Sequence, residues 1–288
     1  MIRFGLSLPL SANIQQLLEL TSKAEKYDFD YVFMPDHVVS LDGKEPLNIW
    51  SVLSILAMNS KRIGVGSMVA NIYRQHPSTL RQQVYTLKQF SNKLMIGLGA
   101  GMMFDCEPFG INRSHPLERM MDSAAEVETL KVPVVIGAYG PLMKEIAASV
   151  NGWVSRHALS PIQFKEELNE VKHSVDRFDN QNFKYIADVP VSFDDKSWLW
   201  KSLAYRYLLQ TRYRNKVFTE DLRKNIESDS STVPRSILES FSAVGNEEQI
   251  INTLENYIES GANMFSIRLY GNSFERFGKV IEYIKSNH

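Results

Sequence analysis

The sequence is short of several things, and each shortage removes a class of function. It holds one cysteine, Cys106, in 288 residues. No intrachain disulfide framework can form, and a reducing, cytoplasmic compartment is expected. A charge excess is missing too, since 32 basic side chains stand against 33 acidic ones, a net charge of -1. Such a balance gives no electrostatic reason to expect nucleic acid or an anionic membrane as partner. No apolar run approaches the roughly 20 residues of a membrane span. The N-terminus shows no basic region followed by an apolar one, so neither secretion nor membrane insertion is expected. The six histidines, His37, His76, His115, His157, His173 and His288, show no His-x-x-x-His spacing. With no Cys-x-x-Cys either, no metal site is expected. A Gly-x-Ser-x-Gly elbow and a Walker loop are absent. Cys106 has no identifiable base beside it and reads as packing.

What is present is enough apolar material for a full core, 44% hydrophobic residues against 23% charged, in the proportions of a globular protein. The pattern alternates between two periods along the chain. Short apolar runs at 2–8, 31–34, 62–69, 94–98, 132–136, 152–155, 184–191 and 263–269 read as strands. Helical spacing fills the intervals, for example at 13–27 behind the capping residue Asn13 and at 77–90, 116–130 and 161–177, each opened by proline. Eight strand-then-helix units with short links predict an α/β fold, a parallel sheet closed into a (β/α)8 TIM barrel. A doubly wound open sheet is the alternative. No Gly, Ser or Pro linker divides the chain, so one domain over 1–288 is expected. Residues 225–236 are polar and read as loop.

Barrel enzymes place their sites at the C-terminal ends of the strands, so the residues there carry the functional reading. The second strand ends in Pro35-Asp36-His37. An Asp-His pair there can bind a polar ligand and hold an imidazole titrating near neutral pH, or it is a surface turn. Gly64 and Gly66 in the third strand mark either a close backbone approach to a ligand or tight packing. The fourth strand ends Gly97-Leu98-Gly99-Ala100-Gly101, where bare backbone N–H groups can approach an anion or a flat ring. The Gly-x-Gly-x-x-Gly dinucleotide spacing is absent. The fifth strand ends Gly137-Ala138-Tyr139-Gly140-Pro141 at a helix start, a second turn of the same kind. Lys201, Arg206, Arg212, Arg214 and Lys216 interleave with Trp198, Trp200, Tyr205, Tyr207 and Tyr213. This stretch reads first as an amphipathic helix with a solvated basic face. An acidic ligand tail or nucleic acid is the other possibility.

Taken together these stretches resemble the luciferase-like monooxygenase superfamily, in particular its coenzyme F420-dependent branch with the methylenetetrahydromethanopterin reductases. Residues 24–32 with 35–37, 63–66 through 74–77, 97–101 with 107–111, 136–141 with 151–154, 244–245 and 260–262 carry the likeness, in order, over most of the chain. The resemblance implies a deazaflavin bound in the strand-end cleft, with FMN as the alternative cofactor. It implies a non-prolyl cis peptide in the third strand, at Met68-Val69 or one step earlier at Ser67-Met68, pressing with Asn71 on the cofactor. Asp36 would bind the cofactor head, and Gly99, Ala100, Gly101, Gly137, Ala138, Gly140 and Pro141 would line it. His37 and Glu107 are the implied catalytic groups. Two departures stand out. Met102 lies where related dehydrogenases often carry glutamate, leaving Asp105 or Glu107 as candidate acids. The insertion common before the fifth strand is missing at Leu130-Lys131-Val132-Pro133. The implied activity is hydride transfer to or from a small organic or pterin-type substrate, in a homodimer. An FMN-dependent monooxygenase and a non-catalytic cofactor-binding protein are the rivals.

Overall fold

The structure, a computed structural model, describes residues 1–38, 45–178, 180, 182–193, 197–213, 216 and 219–288. Arg214 and the side chains of Asp105 and Trp198, named in the sequence reading, lie outside the described residues. Nine strands are described: β1 (Arg3–Ser7), β2 (Tyr31–Met34), β3 (Gly64–Asn71), β4 (Leu94–Gly99), β5 (Val134–Gly137), β6 (Gly152–Val154), β7 (Lys184–Ser192), β8 (Ala243–Val244) and β9 (Met264–Tyr270).

Every pairing is parallel. The ring runs β1 to β7 in order, then β9, which returns to β1. That is a closed (β/α)8 barrel, and the open-sheet alternative falls because β9 pairs with both β7 and β1. The two-residue β8 extends the end of β7 through Val191↔Ala243 and Ser192↔Val244. It is too short to leave a periodic signal.

Local chemistry explains the helix starts. Asn13, Ser160 and Asn246 each cap a helix and form a capping box with the glutamine three residues on, which satisfies two otherwise orphaned N–H groups at once. Pro77, Pro116, Pro141 and Pro161 open helices, where the missing N–H has no partner to lose. The loop expected at 225–236 is a correction. Helix Glu220–Ser230 covers its first half and Arg235–Ser240 begins within its second. Only Leu222 and Ile226 of the first helix are apolar and buried, one turn apart, against Tyr205, Leu208, Leu209 and Tyr213. Two apolar residues in eleven are too few to show a period.

Most of the core lies between the sheet and its helices. A smaller cluster fills the barrel itself: Tyr31, Phe33, Met95, Val135, Val154, Ile186 and Met264. The Tyr31 and Phe33 rings stack at 5.6 Å. Ring bulk explains Gly64, and the neighbouring β4 backbone explains Gly66. A Cβ on Gly64 would stand 2.4 Å from the Tyr31 ring, and one on Gly66 would stand 2.0 Å from the Met95 carbonyl oxygen. Tight packing is therefore the reading that holds for Gly64 and Gly66. No helix among the described residues is long and apolar enough to cross a membrane.

Candidate active site at the strand C-termini

A cavity of about 970 Å³ opens where the strands end, and residues from all eight barrel strands or the loops that follow them line it. Its two sides differ in kind.

The first side runs from β2 to β5. The Met68-Val69 peptide is cis, at the first of the two positions the resemblance implied. The β3–β4 register slips there, from Ser67↔Ile96 to Ala70↔Leu98, so the backbone bulges. Val69 leans over β4. A Cβ on Gly99 would lie 2.4 Å from Val69 Cγ2, and one on Gly97 would lie 2.5 Å from the Ser67 carbonyl oxygen. The β4 glycines thus make room for the bulge. Met68, Val69 and Asn71 line the cavity. Ser67 does not, because its hydroxyl donates to the Gly97 carbonyl at 2.8 Å and is buried.

Asp36 and His37 line the same space. The Asp36 carboxylate accepts the Asn71 N–H at 2.9 Å and pairs with the Arg74 guanidinium. It is held across the gap between the ends of β2 and β3. The Asn71 amide donates to Cys106 Sγ at 3.3 Å and accepts the Tyr73 N–H at 3.0 Å. This gives the buried Cys106 a packing role. Gly99, Ala100 and Gly101 form the next stretch of wall. Gly101 has φ +62°, and a Cβ there would strike the Asn71 amide at 2.4 Å, so both conformation and space call for glycine. Met102 also lines the cavity and packs on the cluster of Tyr205, Leu208 and Leu209. An apolar contact stands where an acid would otherwise reach in.

Of the fifth-strand turn, Gly137, Tyr139 and Gly140 face the cavity. Ala138 is fully buried, with its carbonyl accepting the Trp153 indole N–H at 3.1 Å. Pro141 opens the next helix and is exposed. Neither lines the cavity. Glu107 starts a 3-10 turn, Glu107–Phe109, is exposed and lies outside the lining.

Of the second side, from β6 to β9, the sequence pattern singles out only the basic stretch with Lys201 and Arg206. His157, Asp188 and Arg268 come together there, and Arg206 joins them from helix Ser197–Thr211. His157 Nδ1 lies 3.3 Å from Asp188 Oδ2, and Arg268 Nη2 donates to the same oxygen at 3.2 Å. Burial drives the His157 pKa down to about 4, against the pull of Asp188. The ring is therefore neutral near pH 7, and with Asp188 ionised its Nδ1 carries the hydrogen. For Asp188, burial alone would raise the pKa. The Arg268 charge and the His157 hydrogen bond outweigh it and hold the carboxyl below its ordinary range. Arg206 is lowered by burial and by repulsion from Arg268. Its inward turn corrects the expected solvated basic face, which Lys201 and Arg212 keep. A signal for this side did exist. Asp188 and Arg268 are single charges inside otherwise apolar strand runs.

The model of the luciferase-like monooxygenase family matches residues 1–131 and 123–264. A 5,10-methylenetetrahydromethanopterin reductase from Archaeoglobus fulgidus is 26% identical over 190 residues, 57% of this chain and 55% of that protein. The chain spans about half the length of the curated relatives it matches. Among solved structures, an F420-dependent secondary alcohol dehydrogenase in complex with an F420-acetone adduct superposes with TM-score 0.84 at 17% identity. The match covers 98% of this chain and 99% of that one. The oxygenating constituent of 3,6-diketocamphane monooxygenase from Pseudomonas putida, in complex with FMN, gives TM-score 0.68 at 12% identity over 98% and 96% of the two chains. At such identities the solved structures speak for the fold.

Proposed function

The chain belongs to the luciferase-like monooxygenase family, and on that premise we propose that it is a coenzyme F420-dependent oxidoreductase acting on a small organic or pterin-type substrate. One observation carries the reading. The cis Met68-Val69 step, Asp36, His37 and both glycine turns converge on a single cavity. The cavity, about 970 Å³, is at the upper end of the range for small-molecule sites and suits a large cofactor with a second ligand.

When bound, the deazaflavin supplies a ring carbon that accepts or donates hydride, and the protein contributes orientation and electrostatics. The Met68-Val69 bulge supports one ring face. Gly99, Ala100, Gly101, Gly137 and Gly140 keep the flanking walls free of side chains. Asp36, fixed by Arg74 and the Asn71 N–H, orients polar groups at the cofactor head. His37 holds or moves a proton at a ring nitrogen. Arg113 and Lys201, both exposed cavity residues, meet an acidic cofactor tail. One barrel domain across 1–288, cytoplasmic and assembled as a homodimer, completes the reading.

An FMN-dependent monooxygenase is the second reading, favoured by the apolar Met102 contact in place of an acid and by the likeness to an FMN-bound monooxygenase. Anaerobic absorbance and fluorescence titration with each cofactor separates the two. Saturable binding of coenzyme F420, weakened by Asp36→Ala, is the expected outcome. Tight FMN binding with none for the deazaflavin would reverse the choice. Deazaflavin binding without turnover over alcohols, aldehydes and pterins, and without any effect of His37→Ala, would favour a non-catalytic binding protein.

A further inference from the structure

Counting the charges that face the cavity singles out one group. Asp36 is paired with Arg74, Arg156 with Glu167 at 2.9 Å, and Glu227 with Arg223 at 2.8 Å. Arg113 and Lys201 are exposed to solvent. What is left is sheltered: the guanidinia of Arg206 and Arg268 with one carboxylate, Asp188. Asp188 is bonded to Arg268 and His157. Arg206 faces the Tyr270 hydroxyl and the Arg268 charge. Among the described residues no carboxylate lies within ion-pair distance of it. Arg206 Nε, Arg268 Nε and His157 Nε2 are buried and without a hydrogen-bond partner among the described residues. His157 is neutral, so it leaves the balance unchanged. Among the described residues, two cations against one anion leave a positive charge uncompensated in a half-buried wall of the cavity, an arrangement that is costly unless an anion completes it. Guanidinium forks match the planar or tetrahedral oxygens of carboxylate and phosphate.

Position says which ligand brings that anion. In the closed ring β3 and β7 are separated by three strands in either direction, so Asp188 stands across the mouth from the Met68-Val69 bulge. A flat ring resting on the bulge turns its other face toward this group, where a second ligand enters.

We propose that Arg206 and Arg268 form an oxyanion subsite for the substrate, which is therefore a small organic acid or phosphate ester rather than a neutral alcohol or ketone. The proposal deepens the deazaflavin reading and rests on it for the identity of the other ligand. The test is calorimetric titration at low ionic strength with inorganic phosphate and with acetate, each with and without saturating coenzyme F420. One anion binds per chain in both conditions. Arg206→Gln weakens it about tenfold or more, the loss of roughly one charge-assisted hydrogen bond, and leaves the deazaflavin affinity unchanged. If Arg206→Gln does not fold, Arg206→Lys decides. It keeps the charge, loses the fork, and must still weaken phosphate binding. Equal anion affinity in wild type and variants overturns the subsite. Mutual displacement of phosphate and coenzyme F420, with both weakened by Arg206→Gln, assigns the subsite to the cofactor and overturns the substrate class. Arg206-dependent phosphate binding in a chain with no affinity for coenzyme F420 upholds the anion subsite and refutes the redox reading alone.

Discussion

The two sides of the cavity are built by opposite means. From β2 to β5 the wall is backbone, with a cis step, a run of glycines and one carboxylate tied to its neighbours. From β6 to β9 it is side chain, with the His157 imidazole and the Arg268 guanidinium on one Asp188 oxygen and the Arg206 guanidinium beside them. A surface of bare backbone accepts any flat ring that fits. A sheltered cationic cluster selects its ligand by charge. The pairing suits a protein that keeps one cofactor and chooses one substrate.

Removing the one carboxylate of the charged side has the largest effect. Asp188→Asn leaves two sheltered guanidinia without an anion and costs about 3–5 kcal/mol, measured by urea unfolding at pH 7. A loss below about 1 kcal/mol would mean that water screens the group. Next comes the neutral imidazole. The unfolded chain protonates His157 near pH 6.5, while the fold holds it near 4. Between these values the unfolded state binds more protons, so stability is lost as pH falls from 6.5 toward 4. The loss is about 3 kcal/mol, and His157→Gln abolishes that part of the profile. A profile unchanged in the variant would show that His157 titrates normally.

The backbone side predicts steric effects. Gly66→Ala puts a Cβ 2.0 Å from the Met95 carbonyl oxygen and costs about 1–3 kcal/mol, without change at the charged side. Thermal unfolding beside anion titration separates the two. The smallest effect is expected at Glu107. It lies outside the lining, so Glu107→Gln leaves cofactor binding and any turnover within about twofold, under 0.5 kcal/mol. A large loss there would return it to the site.

The same contrast explains what could be read in advance. The barrel followed from alternating periods, and the backbone side followed from contiguous motifs, because Gly99-Ala100-Gly101 or Pro35-Asp36-His37 are neighbours in sequence as well as in space. Residues 157, 188, 206 and 268 meet only once the ring closes, and no local pattern joins them. Arg206 shares one basic stretch with Lys201 and Arg212, which predicts a shared solvated face, whereas its helix buries Leu199, Leu203, Tyr205 and Leu208 and turns Arg206 into the cavity. For Ser67 and Ala138 a place in a motif predicts a lining role, and neither lines the cavity. A single strand residue's side depends on register, and the bulge resets it.

The most direct measurement is a crystal structure of the protein with coenzyme F420. The deazaflavin ring is expected against Met68-Val69, with Arg206 and Arg268 left uncovered on the other face. A cofactor phosphate seated on those two arginines, or a ring bound away from the β3 bulge, would contradict it.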